Sequence, residues 1–445
     1  MATALNVALP SIVRAFDSTF AHVQWVVLSY FLTNVVLLPM FGRLGDMHGK
    51  RGLFAGGLVV FTAGSLLSGL APTVDWLIGL RVVQGIGSAL ITALGLAIIT
   101  EIFPAGERGR AIGIAGSTLS AGVVVGPTLG GLFIDAFGWQ SVFFLTVPIG
   151  VTATFACLRL IPRSPGKDRQ RFDIAGATIL FAGLLSLMLA LTTAQARGFF
   201  DDVVVALFAL GAIATTVFIW FERVVEEPMI DLTIFRKSLF TIGLVSGFAT
   251  FVAIAGTILL MPFYLENILG YAPLEVGILM AIVPVVLVIT SPVSGALSDR
   301  FGTRPITIAG LAVILLGYML VGTLDKDTTA IGYVLRFLPV GLGMGMFQSP
   351  NNSAIMGAVP RDQVGVASGL LSMTRTFGAT TGVALLGTLW AVRVSARAFE
   401  PVGAEATRAP LSAQLAGLHD MLLVVQVMIF LALALTVWDQ VRRRR

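Results

Sequence analysis

Charged residues are scarce in this 445-residue chain: Asp, Glu, Lys and Arg together make up 12%, where ordinary soluble domains carry about a quarter. There is a single cysteine, Cys157, inside an apolar run, which excludes an internal disulfide. The three histidines, His22, His48 and His419, stand far apart without ligand spacing, so no metal site is expected. A phosphate-binding loop is missing as well. Gly45 to Lys50 resembles one superficially, but Arg51 stands where Ser or Thr would coordinate magnesium, and the glycine spacing is too short. No nucleophile–base pair stands out, so neither ATP hydrolysis nor another enzymatic reaction is indicated, and no cofactor is expected. Residues 1–16 lack the basic start and small-residue cleavage site of a signal peptide. The basic residues form no aromatic-interleaved patch, which speaks against nucleic acid despite a net charge of +5.

What is present is apolar: 56% of the residues are hydrophobic. That leaves too little polar surface to coat a soluble globule, so the lipid bilayer is the expected solvent. Lipid satisfies no backbone polar groups, and the runs are far longer than barrel strands, so the spans should be α-helices. Fourteen runs are discernible, near 1–16, 23–41, 53–71, 76–100, 109–133, 140–161, 173–194, 203–221, 239–265, 274–297, 305–323, 330–357, 364–391 and 418–438. Crossing the hydrocarbon takes about 20 residues. The first run, sixteen residues long, reaches only about 24 Å and reads as the remainder of a span that starts upstream of Met1.

One ten-residue pattern occurs twice. Gly42-Arg-Leu-Gly-Asp-Met-His-Gly-Lys-Arg51 and Gly295-Ala-Leu-Ser-Asp-Arg-Phe-Gly-Thr-Arg304 lie 253 residues apart, each between two apolar runs. A repeated hairpin implies two related halves, the build of many secondary transporters. The expected organisation is a six-helix bundle over 1–161, a basic linker with two inserted spans over 162–237, and a second six-helix bundle with a basic tail over 238–445. The inserted spans carry few glycines and are expected to bury no charge. The segment 392–417 is the longest on its side and is expected to be partly flexible. If the 42–51 hairpin is cytoplasmic, twenty Lys and Arg fall on that side, six on the other and three within spans. This balance predicts a multi-pass protein of the cell (inner or plasma) membrane with a cytoplasmic C-terminus.

Several residues carry candidate chemistry. In the first hairpin Gly42 allows close helix approach and Gly49 a positive φ, Asp46 is placed to meet a helix N-terminus or an arginine, and Arg51 holds the turn. Gly295, Asp299, Arg300 and Gly302 repeat that pattern, which points to a latch on the cytoplasmic side rather than to topology anchoring alone. Arg81 is a guanidinium inside an apolar helix, where such groups usually face the protein interior or water. Its basicity bars it from carrying the proton, so its expected role is to hold a carboxylate, a water chain or a span-one backbone group. Of the two arginines within spans of the second half, Arg375 lies deeper and is the better cavity candidate, while Arg336, near a span's outer end, has the position of a snorkelling residue. Trp25, Tyr30, Met344 and Phe347 offer an aromatic and polarizable surface. Asn351 and Asn352, after Pro350, are placed either to line a cavity or to bridge helices.

These motifs resemble the major facilitator superfamily. The hairpin is similar to its signature; Arg81-Val-Val-Gln-Gly-Ile-Gly87, with Gln84, resembles its fourth-span motif; Asn6-Val-Ala-Leu-Pro10 resembles the end of its first-span motif. Gly113, Gly122, Gly126, Pro127, Gly130 and Gly131 resemble the fifth-span antiporter motif at full spacing. Gln24-Trp25 with Tyr30, Phe347 to Asn352, and Gly365 to Gly382 around Arg375 resemble the fourteen-span drug:proton antiporters of EmrB/QacA type.

The resemblance implies an all-α membrane protein of major facilitator fold, two six-helix bundles plus two inserted helices. It implies proton-coupled export of amphipathic small molecules by alternating access, with Arg81 in coupling and the fifth-span glycines as a gate. The sequence differs from the family at three places. Met1 stands where the first-span motif usually has aspartate, Thr146 where asparagine is usual, and Glu266 replaces a more usual amide, which makes it a candidate outer proton site. Export of one endogenous metabolite or lipid would share every motif, and a transport-inactive sensor or assembly partner is an alternative of another kind. The sequence names no periplasmic or outer-membrane partner.

Overall fold

Membrane-length apolar runs do become helices. The computed structural model describes residues 2–102, 122, 125–162, 174–198, 200–225, 232–359, 364–398 and 406–444. In chain order the described helices are α1 (Ala2–Ala15), α2 (Phe20–His48), α3 (Lys50–Gly69) and α4 (Val74–Ile102), then α5 (Val125–Phe137) and α6 (Ser141–Leu160). α7 (Ile174–Arg197) and α8 (Asp202–Val224) follow. The remainder are α9 (Ser238–Phe263), α10 (Pro273–Phe301), α11 (Thr303–Val321), α12 (Ala330–Gly357), α13 (Val364–Arg397) and α14 (Leu411–Arg444). Among the described residues eleven helices are long and apolar enough to cross a membrane. Three shorter apolar helices, Leu5–Ala15, Val125–Phe137 and Ala175–Leu191, lie where spans one, five and seven are expected.

The decapeptides are less loop-like than the sequence suggests. α2 runs through His48, and the only break before α3 is Gly49 at φ 86°. α10 runs through Phe301 and breaks only at Gly302, φ 87°, before α11. A side chain rarely adopts that backbone conformation, whereas glycine does so without a Cβ penalty.

The chain divides into two compact units, one of Met1–Ser18 and His22–Met229, the other of Thr19–Ala21 and Ile230–Arg445. In the first, α3 packs on α4 and on α6; in the second, α11 packs on α12 and on α14. Glycines permit the closest of these approaches. A Cβ at Gly57 would lie 2.6 Å from the Leu90 Cβ, and one at Gly64 would lie 3.0 Å from the Gln84 backbone nitrogen. Gly310 and Gly317 occupy the same places on α11, where a Cβ would lie 2.6 Å from the backbone nitrogen of Phe347 and 2.7 Å from that of Val340. Gly57 and Gly310, like Gly64 and Gly317, are separated by the 253 residues that separate the decapeptides. Small residues let membrane helices pack backbone to backbone.

α7 and α8 pack on each other within the first unit. Val203, Val205, Leu210, Ile213 and Trp220 of α8 are exposed, which suits contact with lipid rather than water. The expectation that these spans bury no charge fails at Glu222, which is 4% exposed. It lies one residue past the predicted end of span eight, inside a helix that continues to Val224.

Candidate transport site

In the first unit the site is built from residues at helical spacing. Val26, Tyr30 and Asn34 recur every four residues along α2, and Arg81, Gln84 and Ser88 follow at three and four along α4, so each set lies on one helix face. Arg81 is 1% exposed. Its Nε donates to the Val26 carbonyl at 2.9 Å, Nη1 donates to Gln84 Oε1, and the guanidinium carbon lies 4.1 Å from the centre of the Tyr30 ring. The network continues outward. Gln84 donates to Ser65 Oγ of α3 at 2.6 Å, the Tyr30 hydroxyl lies 2.6 Å from Ser88 Oγ, and Asn34 donates to that same oxygen at 2.8 Å.

No carboxylate pairs with Arg81 among the described residues. A carbonyl, an amide oxygen and a ring face hold the charge instead, all of them fixed dipoles or quadrupoles. The backbone partner expected on span one is on α2. The chain turns sharply after α1, and α2 rather than α1 presents its carbonyl to Arg81. Ser65, Asn34 and Ser88 escape a motif reading; their signal is small polar residues at three- and four-residue spacing from Arg81 and Tyr30.

In the second unit Arg375 of α13 is half-buried. Its Nε is buried without a hydrogen-bond partner, and its guanidinium carbon lies 5.5 Å from the Phe251 ring centre of α9. It thus differs from Arg81, whose corresponding nitrogen is satisfied. Asn351 bridges helices: its amide donates to the Gly243 carbonyl of α9 at 3.0 Å. Phe347 is buried against Gly310 in the α11–α12 packing. Asn6 is buried with its Oδ1 unsatisfied, and Trp25 and Asn352 are half-buried. Glu266 lies half-buried in the wide π turn that ends α9. Arg336 donates to Thr323 Oγ1 at 2.9 Å and to the Gly332 carbonyl at 3.0 Å, tying the start of α12 to the preceding loop.

The decapeptides end on equivalent contacts. Arg51 donates to the Leu158 carbonyl at the end of α6, and Lys50 pairs with Glu101 of α4 at 2.9 Å. Arg304, the matching last residue of the second pattern, pairs with Asp439 near the end of α14, which also accepts from Ser238 of α9 at 2.8 Å. The final arginine therefore fastens the first turn to α6 and the second turn to α14. Asp439 is 5% exposed and is an acid that sequence reasoning missed. Beside it Arg304, Ser246, Thr307, Asn351 and Thr436 line a cavity of about 20 Å³, enough for one water molecule.

Asp299 and Arg300 are exposed, and Asp299 makes no ion pair among the described residues. A Cβ at Gly295 would lie 3.2 Å from Ser349 Oγ. Gly42 and Asp46 lie in α2, but their side-chain surroundings, like all of Gly113, fall outside the described residues. Pro127 and Gly130 are buried on α5, Gly126 is half-buried, and a Cβ at Gly122 would meet nothing within 4 Å. No group of three His, Cys, Asp or Glu is placed to hold a metal ion among the described residues.

Breaking the Arg304–Asp439 pair should destabilise the second unit. Removing one partner of a fully buried pair costs about 3–5 kcal/mol, and the part exposure of Arg304 places Asp439→Asn toward or below the lower end. Thermal unfolding of the purified protein should show a clear loss for the single variant. Recovery is expected in Arg304→Met/Asp439→Leu, which removes both charges. A double variant as unstable as the single would show that the loss does not come from an uncompensated charge.

Membrane helices in two units, each with the same glycine-marked turn fastened by its final arginine to a later helix of that unit, are the build of a secondary transporter. The profile of the Major Facilitator Superfamily matches residues 1–383, and the chain belongs to that family, a class of transporters rather than of enzymes. The chain is 34% identical over 393 residues to the multidrug resistance protein Stp of Mycobacterium tuberculosis, covering 88% of this chain and 73% of Stp. It is 32% identical over 391 residues to the riboflavin transporter RibZ of Clostridioides difficile, covering 87% and 84%. To the multidrug transporter MdtP of Bacillus subtilis it is 30% identical over 392 residues, covering 88% and 72%. A crystal structure of a bacterial homologue of the human lysosomal transporter Spinster has the same fold, with a TM-score of 0.68 at 18% identity, covering 98% of this chain and 92% of that one. The protein is a multi-pass membrane transporter of small-molecule substrates.

Proposed function

We propose that this transporter is a proton-coupled exporter of amphipathic small molecules that works by alternating access, of the fourteen-span EmrB/QacA type. The observation that carries the proposal is Arg81: a permanent charge held dry by the Val26 carbonyl and Tyr30 ring of α2 and the Gln84 amide of α4, in a family whose members couple transport to gradients rather than to nucleotide cleavage. Such a charge is costly in a membrane and marks function by default. Two relatives of at least 30% identity are named for multidrug resistance or transport, which supports a broad substrate range. Eleven long helices and three shorter apolar ones each overlap one of the fourteen predicted runs, which supports that span count.

In this reading Arg81, Arg375 and Glu266 serve coupling, the two decapeptides serve as cytoplasmic latches, and the Gly113–Gly130 segment of the antiporter motif is the gate. The C-terminus lies in the cytoplasm, as the Lys and Arg balance requires. A second reading, export of one endogenous metabolite, is favoured by the similarity to RibZ, which is named for riboflavin.

The test is drug-induced proton movement in liposomes holding the purified protein and a pH-sensitive dye. Movement with several unrelated amphipathic compounds supports the first reading, and movement with a single flavin-like compound supports the second. Liposomes that transport a substrate without moving protons would remove the coupling claim.

A further inference from the structure

At the end of the second unit a wide cavity of about 630 Å³ is lined by Arg236, Lys237, Ser238, Trp438, Asp439 and Arg442 among others. Its cations come from two stretches of backbone far apart in sequence, Arg236–Lys237 and the end of α14. Arg236 ends a short 3-10 turn, Leu232–Arg236. That turn is anchored rather than loose. Ile234 is buried in a cluster with Phe240, Leu244 and Ile355, and the Thr241 hydroxyl donates to the Phe235 carbonyl at 2.6 Å. Lys237 precedes the first residue of α9, which has no side-chain cap. Arg442 lies one turn beyond Trp438 on α14, its guanidinium carbon 5.4 Å from that ring, and the sequence continues with arginine to residue 445.

The one acid of the wall, Asp439, is engaged by Arg304 and Ser238. Arg236, Lys237 and Arg442 pair with no carboxylate among the described residues. The cavity therefore offers three cations with no paired carboxylate among the described residues, beside an exposed tryptophan, near the end of α14. Trp side chains favour the headgroup level, and basic pockets between helix ends on the cytoplasmic side suit anionic lipid headgroups.

We infer that this cavity is a binding site for the headgroup of an anionic phospholipid from the adjoining leaflet. Arg236, Lys237 and Arg442 contact the phosphate, and Trp438 lies along the glycerol and upper acyl chain. The wall they share with Asp439 makes the occupied site a brace for the Arg304–Asp439 junction. This site is independent of the proposed drug export, because its test measures binding and not transport.

The experiment is native mass spectrometry and thermal unfolding of the delipidated full-length protein with phosphatidylglycerol, phosphatidylcholine or inorganic phosphate at equal concentration. Phosphatidylglycerol should stay bound and raise the unfolding temperature, phosphatidylcholine should do neither, and Lys237→Gln/Arg442→Gln should weaken the phosphatidylglycerol affinity roughly tenfold or more. These residues are exposed, so the variant should fold. Arg159→Gln/Arg223→Gln, which removes two exposed charges elsewhere, should bind as the wild type does, and Lys237→Arg/Arg442→Lys should retain the affinity. Equal loss in both Gln pairs would reduce the effect to diffuse charge and overturn the assignment. Stabilisation by inorganic phosphate equal to that by phosphatidylglycerol would overturn the lipid source in favour of a free anion.

Discussion

Arg81→Ala is expected to abolish efflux while the protein still reaches the membrane in normal amount. The variant removes two charge-assisted hydrogen bonds, to the Val26 carbonyl and the Gln84 amide, and the contact with Tyr30. Bonds of this kind are worth about 1.5–3 kcal/mol each. Spent on a transport barrier, that corresponds to roughly a hundredfold to ten-thousandfold in rate. The fold should tolerate the change better than transport does, since the deletion also removes a buried charge whose desolvation opposes folding. Arg81→Lys is a sharper probe. It keeps the positive charge but loses the planar fork that reaches Val26 and Gln84 together, and it should remain at least tenfold below wild type. Efflux assays in cells, normalised to membrane protein level, decide the matter. Unchanged efflux by Arg81→Ala at equal expression would leave the residue a packing device.

The sequence exposes this arginine because a lone guanidinium in an apolar run stands out wherever the helix ends fall. It does not expose the residues around it. Helices buried or lipid-facing on all sides are apolar all round, so periodicity gives no inward face. That Val26 rather than a residue of α1 meets Arg81 depends on how α2 is rotated about its axis, which no local pattern encodes. Asp439 was hidden for a related reason. It sits just before a basic tail that looks like a simple anchor, while its partners Arg304 and Ser238 lie 135 and 201 residues away. Glu222 was missed because an acid marks the end of an apolar run to a hydropathy reading even where the helix continues. The turns, by contrast, were legible. Gly49 and Gly302 need only local backbone geometry, which residue type dictates directly.

The same logic makes helix contact the second place where one added carbon should matter most. Gly87→Ala is expected to destabilise the first unit sharply, and Gly56→Ala, on the facing helix, to do nothing or to stabilise slightly. A Cβ at Gly87 would lie 2.7 Å from the Gly57 carbonyl oxygen and 2.8 Å from the Phe61 Cα, both backbone atoms that no rotamer change can move. α3 and α4 would have to separate, and the Gln84–Ser65 bond between them would stretch with them. Overpacking of this kind costs about 1–3 kcal/mol or more. Gly56 meets nothing within 4 Å, so alanine there adds no clash and gains about 0.5–1 kcal/mol of helix preference. Thermal unfolding and detergent-solubilised yield of the two variants, side by side, measure the difference. Because the clash loosens the Arg81 network without touching its atoms, residual efflux per molecule of Gly87→Ala should fall as well, but by less than in Arg81→Ala. Equal stability of the two alanine variants would mean that α3 and α4 do not approach at Gly87, and with that the glycine ladder shared by the two units would lose its structural meaning.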